Sequence, residues 1–229
     1  MTGRLIQAVV FDLDGLLIDS EPVQFAAWEA FVAEYDRELH DDLRRRMYGT
    51  RLVDSAQMVA EELQLPIDGP QVASERDALF FSMIPGNIRA KPGAVDLLGW
   101  LRSEGVRTAL ATSGHQRYVD LACRSAGIPR RFDVEVTGDL VERGKPDPET
   151  FVAAARLLGV PASDTLVLED SPQGVQAAVG AGAVCFAIPD DPGNHDVDLS
   201  EAHRVVPSLA EVIRAARDYG LVFSNSSQG

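Results

Sequence analysis

Two carboxylates stand one residue apart directly after the first apolar run of the chain. The run covers residues 8–11, Asp12 and Asp14 follow it, and Gly15 permits a turn immediately afterwards. Both side chains could therefore face the same cavity at the end of a strand. A solvated acidic turn explains this short motif equally well when it is taken alone.

A second acidic pair repeats the arrangement. Glu169 and Asp170 follow the apolar residues 166–168, so two neighbouring strands would bring four carboxylates to one edge of a sheet. Like charges at that density raise one another's pKa values, which makes a hard cation the natural compensation. Oxygen ligands with room for water favour Mg²⁺ over Zn²⁺. The sequence therefore predicts a magnesium site.

Hydroxyl groups and a lysine could form the complementary half of a phosphate site. Thr112, Ser113 and Gly114 separate another apolar run from a helical segment, and their hydroxyl and N–H groups could hold phosphate oxygens. Helix capping is the more ordinary role for such residues. Lys145 lies between a glycine and a proline and is one of only two lysines in the chain, the other being Lys91. A fixed cation in that loop would neutralise both a neighbouring carboxylate and an incoming phosphate.

The spacing of the apolar runs predicts an α/β fold. Five runs flanked by turn residues predict buried strands at residues 8–11, 108–111, 134–136, 166–168 and 184–188. Helical patterns with glycine stop signals lie between the later runs, at residues 116–126, 148–158 and 173–180. Right-handed crossovers between these elements give a doubly wound parallel sheet, whose ligand site lies beyond the carboxyl ends of its strands.

The segment after the first strand breaks this alternation. Residues 21–82 show helical periodicity and no convincing strand. We therefore expect a core formed by residues 1–15 and 88–229, with an inserted helical cap domain formed by residues 16–87. Glycine or proline at both junctions suits a pair of hinges.

The composition argues against several classes of partner. A formal net charge of −14 and a pI of about 4.6 repel nucleic acid and anionic membrane surfaces. No run approaches the roughly 18 apolar residues of a membrane span, and the N-terminal residues do not resemble a signal peptide. Cys123 and Cys185 lie in apolar or helical runs, which predicts reduced thiols and a cytoplasmic protein.

The four motifs taken together resemble those of the haloacid dehalogenase-like hydrolase superfamily. They occur in the same order, as Asp12-x-Asp14-Gly15, Thr112, Lys145-Pro146 and Glu169-Asp170. The match spans nearly the whole chain. The helical insert and Asp19-Ser20-Glu21 resemble the branch of β-phosphoglucomutases and sugar-phosphate phosphatases that carries an α-helical cap.

This resemblance implies a role for each motif residue. Asp12 would be the nucleophile and Asp14 the general acid and base. Thr112 and Lys145, with Ser113 and Gly114, would hold the phosphoryl group. Asp12, the backbone carbonyl of Asp14, Glu169 and Asp170 would bind Mg²⁺. The substrate would be a small phosphorylated metabolite, and the protein would be a monomer or a homodimer.

The residues also distinguish among the reactions of that superfamily. Dehalogenases need neither Mg²⁺ nor the second acid of the first motif, and phosphonatases use a cap lysine, which residues 16–87 lack. A β-phosphoglucomutase is the serious alternative because Trp28, Gly49 and Ser55 match it. Gln24, however, replaces the cap histidine of that mutase, and its cap lysine is missing. We predict a phosphatase, with the mutase as the first alternative and a non-catalytic phosphate-binding protein as the second.

Substrate specificity is expected to depend on the helical insert. The candidate residues are Glu21, Gln24, Trp28, Gly49 and Arg51. Trp28 could instead pack between helices, and Gln24 could simply cover the hinge. The arginine run at residues 44–46 is a weaker candidate, because such runs usually form a solvated face.

Overall fold

The computed structural model describes residues 3–47, 52–190 and 197–224, and the chain divides into two compact units. The first unit comprises Met1–Asp19 and Arg89–Gly229, and the second comprises Ser20–Ile88. Residues 18–19 pair with residues 89–90 as antiparallel strands of the first unit. No helix in the described ranges is long and apolar enough to cross a membrane.

Helices joined by loops make up the described residues of the second unit. Its helices are α1 (Glu21–Ala33), α2 (Asp41–Met47), α3 (Leu52–Glu62) and α4 (Gly69–Met83). Asp68 caps α4, since its side chain accepts a hydrogen bond from the Gln71 N–H at 3.0 Å. Phe31, Leu43 and Val59 are completely buried in an apolar cluster of this unit. The four helices therefore enclose a hydrophobic core of their own.

The first unit contains all the strands of the described structure. In chain order they are β1 (Arg4–Ile6), β2 (Ala8–Phe11), β3 (Ile18–Asp19), β4 (Arg89–Ala90), β5 (Arg107–Ala111), β6 (Val134–Val136), β7 (Thr165–Glu169), β8 (Val184–Ala187), β9 (Arg204–Val205) and β10 (Leu221–Phe223). Six of them form one parallel sheet in the order β6-β5-β2-β7-β8-β9. All five predicted strands belong to it. The sequence did not predict β9, which is too short to form an apolar run.

Complete burial of the central strands explains why they read as continuous apolar runs. Every residue of β2, β7 and β8 is buried. Because successive side chains of a strand point to opposite faces, both faces of the sheet must be covered. The predicted fold class, a doubly wound α/β sheet, is confirmed.

The helices of the first unit follow the strands. They are α5 (Ala94–Ser103), α6 (Gln116–Ala126), α7 (Glu149–Leu158), α8 (Pro172–Gly180) and α9 (Val212–Asp218). Three correspond to predicted helices, whereas α5 and α9 were not predicted. Phe151 of α7 and Val175 of α8 pack in one cluster with Val10, Val167 and Cys185 of the sheet. These helices hold the central strands in place.

The strand register brings the predicted site residues to one edge. On β2, Phe11 pairs with Leu110 of β5 on one side and with Leu168 of β7 on the other. Since the three strands are parallel, the residues that follow them leave the sheet at the same carboxyl edge. Asp12 and Glu169 therefore emerge side by side.

Candidate active site

Lys145 links the two acidic strand ends. Its ammonium group donates hydrogen bonds to Asp12 Oδ1, to Glu169 Oε1 at 2.5 Å and to the Ala111 carbonyl at 3.2 Å. The Lys145 side chain is only 7% exposed, and its Nζ lies 4.9 Å from the centroid of the Phe151 ring. The peptide bond between Lys145 and Pro146 is cis. The positive charge of Lys145 is thus held in a buried position beside Asp12.

Burial sets the charge balance of this cluster. Burial raises the pKa of Asp12 to about 7; the attraction of Lys145 opposes this rise, and repulsion by Glu169 and Asp14 adds to it. Burial, with repulsion by Glu169 and Asp12, also raises the pKa of Asp170 well above its usual value. Burial alone would lower the pKa of Lys145, but the attraction of Asp12 and Glu169 raises it, so the ammonium keeps its charge. One ammonium faces several carboxyl groups, and the site carries more acid than base.

Glu169 is fully buried, and both of its carboxylate oxygens have donors. Oε1 accepts from Lys145, while Oε2 accepts from the backbone N–H groups of Asp170 at 2.9 Å and Ser171 at 3.0 Å. The Ser171 hydroxyl also donates to Oε2, at 3.0 Å. These contacts orient Lys145 through Glu169. Direct binding of Mg²⁺ by Glu169 stays a prediction.

Gly174 leaves room for the Glu169 carboxylate. A Cβ atom built at Gly174 would overlap that carboxylate, and the Gly174 N–H donates to the Ser171 hydroxyl at 3.1 Å, which caps α8. The sequence analysis did not identify Gly174 or Ser171 as parts of the site. The position of Gly174 inside a helical pattern could have indicated a close contact at this point, because a glycine within a helix often has a packing reason.

Substituting Gly174 with Ala should lower the free energy of unfolding by about 2 kcal/mol, because the added methyl group has to displace buried atoms. Urea denaturation measures this change. Gly180→Ala in the same helix is the matched control, since its Cβ would meet nothing closer than 3.6 Å. Equal losses of stability in the two variants would contradict the steric argument.

Gly15 brings the first motif against Asp170. Its φ of +74° lies in the left-handed region, and a Cβ atom there would overlap the Asp170 carboxylate. Only glycine combines this backbone conformation with so close an approach. The turn after Asp14 therefore places Asp170 directly beside the first motif.

Tyr118 is a site residue that the sequence analysis missed. Its hydroxyl donates a hydrogen bond to Asp14 Oδ1, and its side chain is 6% exposed on α6. Tyr118 lies 104 residues from Asp14 in the chain, so no local sequence pattern predicts this contact. The hydrogen bond fixes the orientation of the Asp14 carboxyl group.

We expect Tyr118→Phe to lower kcat by roughly 10- to 100-fold with little change in KM, since a hydrogen bond to an ionisable group contributes about 1.5–3 kcal/mol. Steady-state kinetics test this expectation. Tyr219→Phe is the control, because the Tyr219 ring packs on Phe186. A kcat that is unchanged in Tyr118→Phe would rule out a positioning role.

The predicted phosphate loop follows β5. Thr112 is 1% exposed, and its N–H donates to the Val136 carbonyl at 3.0 Å. The Gly114 N–H donates to the Thr112 hydroxyl oxygen at 3.0 Å, which leaves the hydroxyl hydrogen of Thr112 to donate to a ligand. Ser113 is exposed. The Gly114 N–H, which was expected to be free for phosphate, is thus engaged inside the loop.

The start of α6 is capped by Asp139, which follows β6 in the chain. Asp139 Oδ2 accepts a hydrogen bond from the Gln116 N–H at 2.7 Å, and Asp139 Oδ1 lies 2.7 Å from His115 Nδ1. Capping was the ordinary alternative for Thr112 and Ser113. Because Asp139 accepts the hydrogen bond of the first N–H of α6, the Thr112 hydroxyl is not needed to cap that helix. Its hydrogen can therefore be donated to a ligand.

Comparison with known protein families identifies this arrangement. A family model described as a haloacid dehalogenase-like hydrolase matches residues 6–182, well over half of the chain. The chain belongs to the haloacid dehalogenase-like hydrolase family. The family predicted from the four motifs is confirmed.

Individual relatives of this hydrolase agree with the family model. The phosphorylated carbohydrates phosphatase of Thermotoga maritima is 34% identical over 181 residues, which cover 77% of this chain and 82% of that protein. The validoxylamine A 7'-phosphate phosphatase of Streptomyces hygroscopicus is 32% identical over 212 residues, covering 91% and 96%. The crystal structure of CbbY from Rhodobacter sphaeroides in complex with phosphate is 30% identical, with a TM-score of 0.76 and coverage of 90% and 96%.

The candidate specificity residues of this hydrolase differ in their surroundings. Trp28 is 6% exposed and lies in the core of the helical unit, where the Arg76 guanidinium carbon is 5.0 Å from its ring centroid. Gln24 accepts hydrogen bonds from Arg76, through its side-chain oxygen and through its backbone carbonyl at 2.8 Å. Glu21 is the first residue of α1. Gly49 and Arg51 lie outside the described residues.

The arginine run of the helical unit forms ion pairs. Arg44 pairs with Glu29, and Arg46 pairs with Glu62 and, at 3.2 Å, with Asp42. These pairs are partly exposed, as the solvated-face interpretation expects. Their positive charges are already compensated by neighbouring carboxylates.

Lys91, the second lysine of this hydrolase, also belongs to the first unit. Its ammonium group donates to Asp190 Oδ1 at 2.5 Å and to the Asp190 carbonyl at 2.9 Å. Asp190 contributes to the raised pKa of Asp170 by repulsion. Among the described residues, no three His, Cys, Asp or Glu side chains form a ready-made group of metal ligands.

Proposed function

We propose that this hydrolase cleaves phosphate monoesters of small metabolites, with sugar phosphates as the leading class of substrate. The observation that carries the proposal is the buried Lys145 ammonium between Asp12 and Glu169 at the carboxyl edge of the sheet. A carboxylate can attack an anionic phosphoryl group only if nearby positive charge offsets their repulsion, and Lys145 supplies such a charge. The similarity to phosphatases supports the same reaction class.

The reaction proceeds in two steps on this chain's own residues. The Asp12 carboxylate attacks phosphorus as the bond from phosphorus to the leaving oxygen breaks, and Asp14 gives its proton to that oxygen. Water then attacks the phosphorus of the aspartyl phosphate and transfers a proton to Asp14, which regenerates Asp12 and releases inorganic phosphate. Tyr118 orients Asp14 through its hydrogen bond, and the Thr112 hydroxyl and Lys145 hold the phosphoryl oxygens.

The carboxylates of Asp12 and Asp170 and the backbone carbonyl of Asp14 are the proposed ligands of Mg²⁺. All three are hard oxygen donors. Burial is the main cause of the raised pKa values of Asp12 and Asp170, and repulsion by neighbouring carboxylates adds to it, so a bound cation would favour the charged form of both groups. When bound, Mg²⁺ supplies positive charge at the reacting phosphoryl group. Glu169 stays a predicted ligand, since its oxygens are engaged by protein donors.

Release of inorganic phosphate tests the proposal. The protein is incubated with sugar phosphates, small acid phosphates and nucleotides, with Mg²⁺ or with EDTA. We expect turnover of at least one small phosphate ester that EDTA abolishes and added Mg²⁺ restores. Failure of every compound would favour the second alternative, a phosphate-binding protein without turnover.

A phosphosugar mutase is the weaker alternative. Gln24 occupies the position of the mutase's cap histidine, and its side-chain oxygen is held by Arg76, whose side chain is buried. The test offers β-glucose 1-phosphate together with a bisphosphate primer. Formation of glucose 6-phosphate without free phosphate would replace the phosphatase by the mutase.

The helical unit is proposed to select the substrate. Glu21, Gln24, Gly49 and Arg51 are the residues proposed to contact the leaving group, and Trp28 is proposed to support them from the core of the unit. We further propose that the enzyme acts in the cytoplasm as a monomer or homodimer, in keeping with the two buried free cysteines.

A further inference from the structure

A polar pocket lies at the opposite end of the sheet from Asp12. It has a volume of about 270 Å³ and is lined by Arg102, Arg107, Thr108, Arg131 and Asp133, together with the turn at residues 105–106. Arg102 lies in the last turn of α5, Arg107 begins β5, and Arg131 precedes β6. Three chain segments thus each bring one arginine to the same cavity.

The strand register separates this pocket from the catalytic edge. Arg107 pairs with Ala8 at the start of β2, whereas Ala111 ends β5 directly before Thr112. Four residues of a strand span roughly 13 Å. A ligand in the pocket would therefore not touch the Asp12 site.

The positive charge of the pocket is poorly compensated. Within the described part of the chain, neither Arg102 nor Arg131 forms an ion pair, whereas Arg44, Arg46 and Arg130 each bind a carboxylate. In a protein with a net charge of −14, acidic partners for an arginine are plentiful. Arg89 and Arg156 form no ion pair among the described residues either, so what distinguishes Arg102 and Arg131 is that both line one cavity with Arg107.

The remaining polar groups of the pocket are fixed. Arg107 donates to the Leu158 carbonyl at 2.7 Å and to Gln7 Oε1 at 3.3 Å, and its buried Nε has no hydrogen-bond partner among the described residues. Asp133, the one carboxylate of the lining, accepts from the Thr108 N–H at 2.8 Å. Arg107 is therefore held in place, while Arg102 and Arg131 are exposed to solvent.

We propose that this arginine pocket binds a small anion that carries two or more negative charges. Guanidinium groups form paired, charge-assisted hydrogen bonds with both phosphate and carboxylate groups. The volume of about 270 Å³ lies just below the roughly 300–1,000 Å³ of typical ligand pockets, so the pocket suits a small anion. Phosphorylated metabolites and polycarboxylates share the required chemistry, and binding at this pocket is independent of the phosphatase reaction.

Residue-specific NMR tests the proposal on the whole protein. Amide signals of Gly105, Val106 and Thr108 are followed during titration with inorganic phosphate and, separately, with citrate, at constant ionic strength. We expect saturable shifts at these three amides, in addition to any shifts that phosphate causes at residues 112–114. Tighter binding of phosphate than of citrate would point to phosphorylated metabolites, and the reverse to polycarboxylates.

The double variant Arg102→Gln and Arg131→Gln should weaken this binding roughly tenfold or more, because it removes two of the charge-assisted donors of the pocket. The matched control, Arg45→Gln with Arg214→Gln, removes the same charge at positions whose side chains are 76% and 74% exposed, and should leave the affinity unchanged. Equal affinities in the two double variants, or shifts confined to residues 112–114, would overturn the proposal. That result would leave the proposed phosphatase activity untouched, since phosphate release is measured separately.

Discussion

Asp12→Asn is expected to abolish phosphate release, with a fall in kcat on the order of 10⁴-fold or more. The amide of Asn is a poor nucleophile and cannot form the aspartyl phosphate, whereas the shape of the side chain is retained. Asp12 is also the group beside the Lys145 ammonium, so the substitution removes the nucleophile without removing the cation. Steady-state assays with the best substrate, with the circular dichroism spectrum as a check on folding, measure the effect.

The control for this substitution is Asp218→Asn. Asp218 is an exposed residue at the end of α9, so its replacement changes the net charge equally and should leave kcat unchanged. Turnover by Asp12→Asn near the wild-type rate would refute the covalent mechanism. A phosphoryl group trapped on the peptide that contains Asp12, after acid quenching of the wild-type reaction, would support it directly.

Lys145→Met should impair both turnover and folding. Methionine retains an unbranched apolar chain but removes the charge, so Asp12 and Glu169 lose their shared partner in a buried site. Breaking a buried ion pair typically costs about 3–5 kcal/mol, because an uncompensated charge is left behind. We expect a loss of stability of that size in urea denaturation, together with a fall in kcat/KM on the order of 10²- to 10³-fold as charge stabilisation of the phosphoryl group is lost.

Lys91→Met provides the comparison for Lys145→Met. It removes the other lysine of the chain, which forms an ion pair with Asp190. The Lys91 side chain is 19% exposed, compared with 7% for Lys145. The loss of stability should be smaller because solvent compensates part of the lost charge. Identical effects of the two substitutions would mean that Lys145 has no special role at the site.

The sequence was sufficient to predict which residues leave the carboxyl edge of the sheet. Buried parallel strands read as apolar runs, and parallel strands share one carboxyl edge, so acids that follow two such runs must lie close together. Asp12 and Glu169 illustrate the argument, since their strands are direct neighbours. Because the chain contains only two lysines, the presence of one of them, Lys145, in a loop near these acids further indicated a role at the site.

The weaker elements escaped prediction for physical reasons. Strand β9 has only two residues and pairs on one side of β8, so no apolar run marks it. The strands β3 and β4 are equally short and pair with each other. Strands of this length depend on tertiary pairing rather than on local preference.

The sequence by itself determined the family, the fold class and the identity of the acids at the strand ends, because these depend on local runs and their order. Only the tertiary structure decided which groups those acids contact: Tyr118 on Asp14, Lys145 and Ser171 on Glu169, and the glycine at position 174 that leaves space for the Glu169 carboxylate. The Tyr118 and Lys145 contacts join residues far apart in the chain, and all of these contacts depend on the direction of individual side chains. Hydrophobic periodicity specifies neither long-range contacts nor side-chain directions. Such contacts can therefore be identified only when the register of the strands and the packing of the helices are known.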